Sequence, residues 1–181
     1  MRRTLIIAMA LLPLVPAGCD DDDEGGGGDD YLAQETVSGL PEGDASGDWA
    51  SGSYELEMYT TACDGVCSVE ESDWVYSICE VGNTETVTVE VEQEDGFLRI
   101  DIPNDSYFVQ RLEGGIFADG SFDVGGYATD LGGDIQSTAR AEGSISQDRQ
   151  LEGTARSHVW GQAYGYSVDC EMTLEIEGSA D

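Results

Sequence analysis

Thr84 to Ile102 reads TETVTVEVEQEDGFLRIDI, and its alternation decides the fold. Val87, Val89 and Val91 fall on one side of an extended chain, with Thr88, Glu90 and Glu92 on the other, which is the period of a strand with one buried face. Glu94, Asp95 and Gly96 supply a turn, after which Leu98, Ile100 and Ile102 again share a face. Two such runs joined by a short Asp-Gly turn predict an antiparallel hairpin.

The same period recurs on both sides of this hairpin. Upstream, Tyr54, Leu56 and Met58 alternate with Glu55 and Glu57 within 51–60. Downstream, 107–113, 115–124 turning about Asp119 and Gly120, 135–145, and 151–160 after a turn near Asp148 continue it. Val168, Cys170, Met172, Leu174 and Ile176 then alternate with Asp169, Glu171, Thr173 and Glu175. No segment sustains a 3.6-residue period. The predicted class is all-β, an antiparallel up-and-down meander of about eight strands. Closure into a barrel is favoured, because long first and last strands can pair and remove the sheet edges; a β-sandwich is the alternative. The glycine pairs Gly114–Gly115, Gly125–Gly126 and Gly132–Gly133 read as turn punctuation, and they open no helix that would cradle a phosphate.

Residues 48–181 have the size of one domain. What precedes them is of a different kind. Arg2 and Arg3 lead an apolar stretch from Thr4 to Val15, shorter than the roughly 20 residues of a membrane span, so 1–18 reads as a signal peptide. Ala17, Gly18 and Cys19 resemble the lipobox of bacterial lipoproteins, although Pro16 stands where a leucine is usual. The resemblance implies cleavage before Cys19 and lipidation of its sulfur, hence a lipid anchor to the membrane.

Four aspartates and Glu24, four glycines, then Asp29 and Asp30 follow Cys19. Such a composition has little to bury, so 19–47 is expected to be a disordered acidic tether. Asp20, Asp22, Glu24 and Gly25 have the spacing that begins a calcium loop, but Tyr31 occupies the place of its bidentate glutamate and no metal site is expected. Asp directly after the cysteine resembles an inner-membrane retention signal, and an acidic cluster there resembles a surface-export signal. The expected location is the bacterial cell envelope, at the outer membrane or cell surface rather than the periplasmic face of the inner membrane.

Within the domain, Gly47, Asp48, Trp49, Gly52 and Tyr54 resemble the opening strand of lipocalin-like and avidin-like barrels, in which a tryptophan plugs one end. Asp119, Gly120 and Ser121, with Glu152, Gly153 and Thr154, are similar to an idiom of small β-barrel lipoproteins of myxobacteria and their relatives. These resemblances imply an architecture and no activity.

With Cys19 lipidated, Cys63, Cys67, Cys79 and Cys170 remain, an even number in an oxidising compartment, and two disulfides are expected. In a closed barrel the last strand lies beside the first, which predicts a bridge from Cys170 to the 63–79 region while the other two cysteines close that excursion. Four cysteines also have the donors for zinc, but they lack paired Cys-x-x-Cys knuckles. The excursion is read as a stapled loop, or a lid over the barrel mouth.

The formal charge is −31, and loss of Arg2 and Arg3 with the signal takes it to −33; the chain has no lysine. Such a surface repels phosphate, so nucleic acid is excluded as a partner. His158 is the single histidine, no Gly-x-Ser-x-Gly elbow accompanies it, and no cofactor motif is present. The expected function is non-catalytic: a β-domain that binds a small apolar ligand or an envelope protein, with Trp74, Tyr76, Trp160, Tyr164 and Tyr166 as candidate ligand contacts. A structural or adhesive surface protein with weak divalent-cation binding is the alternative, and an acidic-pair hydrolase the third reading.

Overall fold

The computed structural model describes residues 31–71, 74–103, 109–130, 134–163 and 166–180. The signal peptide, Cys19 and the acidic run lie outside them. The strands are β1 (Gly52–Val66), β2 (Ser68–Glu71), β3 (Trp74–Ser77), β4 (Thr84–Glu94), β5 (Phe97–Asp101), β6 (Arg111–Ile116), β7 (Ser121–Asp130), β8 (Ile135–Ile145), β9 (Gln150–Ala163) and β10 (Tyr166–Ala180). Eight of them close into an antiparallel barrel in the order β1-β10-β9-β8-β7-β6-β5-β4, with β4 returning to β1. The sandwich is thereby excluded, and the barrel is lipocalin-like in architecture. Closure runs through the longest strands, since β1 and β10 pair from Tyr54 opposite Ala180 to Val66 opposite Asp169.

Alternation sets what lies inside. Tyr54, Leu56, Val87, Val89, Val91, Leu98, Ile100, Leu112, Ile116, Phe122, Val124, Ala141, Ile145, Leu151 and Ile176 form one buried cluster. β7 to β9 also carry a run of small residues, Gly126, Ala139, Ala141, Gly143, Gly153 and Ala155, between large buried ones such as Phe122, Ile145 and Leu151.

One end is shut. Tyr54 is fully buried, and its hydroxyl donates to the Ala50 carbonyl at 2.8 Å. The buried Gln93 amide accepts from the Ala50 N–H at 2.9 Å and donates to the Asp95 carbonyl at 2.9 Å. Arg149, with φ at 59°, sends its guanidinium back to donate to the Ser51 carbonyl at 2.8 Å. Trp49 packs against the same core and lies beside Gly120, in the hairpin turn between β6 and β7.

Two expectations change here. The tether was expected to run to residue 47, but 31–47 packs along the outside of the barrel as a strap. Leu32, Val37 and Ala45 are buried, and α1 (Gln34–Val37) lies against β7 and β8. The strap fits because the glycines beneath it have no side chains. A Cβ on Gly125 would lie 2.7 Å from the Val37 carbonyl oxygen, and one on Gly115 would lie 2.6 Å from that of Pro41. Gly114–Gly115 and Gly125–Gly126 are therefore strand-interior residues of β6 and β7, not turn residues. Gly132 and Gly133 lie outside the described residues, as does Tyr107, and β6 begins at Arg111.

Tyr31, at the start of the strap, sits between two arginines that face each other across β8 and β9. The Arg140 guanidinium is 4.2 Å and that of Arg156 5.0 Å from its ring centroid. Arg140 is held by Asp123 at 2.6 Å and Arg156 by Glu171 at 3.5 Å. Burial first, and the nearby Glu142 carboxylate second, push the Tyr31 hydroxyl up to about 12. A folded value above the unfolded one of about 10 means the stability Tyr31 contributes as a neutral phenol is complete below pH 10 and is lost as pH rises toward 12. Denaturation midpoints measured from pH 9 to 12 should fall more steeply for the native chain than for Tyr31→Phe, which keeps the ring and has nothing to ionise.

Candidate functional site

The other end of the barrel carries the excursion. Beyond a register shift between Thr60 and Ala62, β1 continues past the barrel mouth, and β2 and β3 form a two-stranded ribbon. Two disulfides tie this cap down: Cys63 to Cys79 across its base, and Cys67 to Cys170 on β10. The two disulfides expected are present and Cys170 bridges to the 63–79 region; that its partner is Cys67 is left open by the sequence. Cys67, Ile78 and Cys79 pack with Ile135, Val159, Val168, Cys170 and Met172 in a second apolar cluster, separate from the barrel core.

Between the two clusters lies a cavity of about 290 Å³. Met58, Leu112, Met172 and Leu174 line it from β1, β6 and β10, Ile102 and Val109 from just after β5 and just before β6, and Ala139, Ala155 and Ser157 face it from β8 and β9. Its origin is visible in the strand sequences, because the small inward residues leave space that opposite side chains do not fill. Ile78 and Cys79 roof it, while Thr60, Glu80, Asn83 and Glu85 border it. The volume is at the lower edge of the roughly 300 to 1,000 Å³ usual for ligand sites, and about twice a cavity that accommodates benzene. Apolar lining with a few polar groups at one side is the composition such sites have.

The expected aromatic contacts fall differently. Trp160 is on the outward register of β9, half-buried, with its ring 4.7 Å from that of His158. Tyr166 is half-buried at the start of β10, opposite Ala163. Neither lines the cavity. Trp74 and Tyr76 belong to the ribbon, but their side chains, like all of Tyr164, lie outside the described residues. Met58, Met172, Leu112 and the facing alanines are the residues sequence reasoning missed. Their signal was present as small residues in otherwise regular strands, but it emerges only once the barrel places β8 and β9 opposite β5 and β6.

His158 and the adjacent Ser157 point to opposite sides of β9. The His158 Nε2 meets Asp169 Oδ1 at 2.8 Å on the outer wall, whereas Ser157 faces the cavity. A second depression, about 730 Å³ and open to solvent, lies outside β1, β9 and β10 and carries Glu57, Glu152, Glu175 and Glu177. Glu57, Glu177 and Glu152 stand directly opposite one another across the three strands. No group of three or more His, Cys, Asp or Glu side chains among the described residues is arranged to hold a metal ion.

Fold and site together define a closed antiparallel β-barrel with a disulfide-capped apolar cavity at one mouth. No family model matches the chain, and no curated protein matches it.

Proposed function

We propose that this chain is a lipid-anchored protein of the bacterial envelope whose barrel binds a small apolar ligand without catalysis. The supporting observation is the 290 Å³ cavity, apolar on its floor and roofed by a cap that two disulfides fix to the barrel. A preformed pocket of this kind limits the ordering cost of binding. Its rim carboxylates, Glu80 and Glu85, are exposed, and the floor beneath them is aliphatic, which disfavours the acidic-pair hydrolase. The outer glutamate row favours the divalent-cation reading only as weak, delocalised binding.

The anchor rests on the Ala17-Gly18-Cys19 motif. Eleven residues separate Cys19 from Tyr31, at most about 40 Å of extended chain, so the strap's start on β8 and β9 bounds how far the barrel stands from its membrane. Cys19→Ser should move the protein from the membrane to the soluble fraction, and continued detergent-dependent extraction would sink the anchor. For the ligand, native mass spectrometry of protein extracted from its own envelope should find a retained small molecule lost on unfolding. Uniformly unliganded protein, together with failure to take up any apolar probe, would refute the binding reading.

A further inference from the structure

We infer that the cavity selects a cationic ligand, a small hydrophobic amine whose apolar body lies on the cavity floor and whose ammonium stays at the rim; this rests on the binding reading above. Glu85 occupies an inward position of β4, in line with the buried Val87 and Val89, yet at the mouth it is exposed and borders the cavity. Glu80, directly after Cys79, borders it too. The rim thus offers two carboxylates above an aliphatic floor.

Among the described residues each arginine already has a partner that an anion would have to displace. Arg156 is the one arginine among the described residues that borders the cavity, and its guanidinium is engaged by Glu171 at 3.5 Å and by the Tyr31 ring at 5.0 Å. The other four in the described residues are also committed: Arg99 to Glu92 and Asp101, Arg111 to Asp101, Arg140 to Asp123, and Arg149 to the Ser51 carbonyl. A carboxylate ligand entering the mouth would shed water beside Glu80 and Glu85 with no cation to replace it. An ammonium at the rim keeps part of its hydration and gains both carboxylates. The chain's charge of −31 also raises the local concentration of cations around the barrel.

Three probes of one apolar body separate charge from cavity: phenylbutylammonium, phenylbutanol and phenylbutanoate, titrated calorimetrically into the full chain. The expected order is ammonium tightest and carboxylate weakest, with at least a tenfold spread. That spread should shrink in about 1 M salt, where the screening length falls to about 3 Å. It should also shrink in a Glu80→Gln, Glu85→Gln double variant, with circular dichroism verifying the fold. Equal binding of all three, or tightest binding of phenylbutanoate, overturns the charge selection and leaves the cavity reading standing. An ammonium preference untouched by the double variant overturns the assignment to Glu80 and Glu85. Binding of none of the three overturns the cavity reading itself.

Discussion

Removing the Cys67–Cys170 bridge by paired alanine substitution is expected to destabilise the fold by about 4 to 5 kcal/mol, more than removing Cys63–Cys79. The bridges close loops of very different length, with sequence separations of 103 and 16. Chain entropy assigns about 4.7 kcal/mol to a loop near 100 residues and about 3 kcal/mol to one near 15. Position adds to the contrast, since Cys170 is fully buried in the cluster that roofs the cavity. Domains of this size have a total stability of about 5 to 15 kcal/mol, so either loss is large. Guanidinium denaturation of the two paired variants checks the order, and equal midpoints would contradict it. The Cys67–Cys170 loss should also weaken probe binding, because it frees the cap from β10.

The second large effect is at the shut end. Tyr54→Ala is expected to cost about 4 kcal/mol and Tyr54→Phe about 1 kcal/mol. The ring is wholly buried and its removal leaves a cavity that the surrounding strands cannot close, a loss of about 3 to 5 kcal/mol for an aromatic. Truncation to alanine also strips the Ala50 carbonyl of its donor, whereas phenylalanine removes that hydrogen bond alone. The Arg149 guanidinium 5.6 Å above the ring would lose its aromatic partner only in the alanine variant. Urea denaturation of both variants separates the two contributions. A phenylalanine variant as unstable as alanine would place the effect in the hydroxyl network rather than in packing.

Much of this architecture was legible because strand period and burial coincide. Val87 to Val91 face the barrel core, and the inward row of β10 passes from the cap cluster at Val168 and Cys170 to the barrel core at Ile176, so each alternation survives in the barrel. Closure was legible from the two long terminal strands, and closure in turn placed Cys170 beside the excursion from β1. The strap was not legible. Leu32, Val37 and Ala45 are buried yet follow no strand or helix period, and Ala45 joins the barrel core. The strap's close approach was written in Gly125 beneath Val37 and in Gly115 beneath Pro41, where glycine stands inside a strand for another backbone. A single-chain reading takes such glycines for turns.

The site was legible only in outline. A barrel mouth lined by aromatics was a fair expectation, but Trp160 belongs to the outer wall with His158, and the cavity comes from absence of bulk at Ala139 and Ala155. Small residues carry little signal in a sequence, because their effect depends on what the fold sets opposite them. The glutamates at the rim were likewise indistinguishable among 38 acids until the register put Glu85 on the inner side of β4.

The most direct test of the central claim is a crystal structure of the full chain grown with phenylbutanol. A capped apolar cavity predicts density for the probe enclosed by Met58, Leu112, Ala155 and Met172 beneath Ile78, with the barrel and both disulfides unchanged. A mouth closed by Met58 and Met172 in mutual contact, with no space and no probe between β5 and β9, would contradict it.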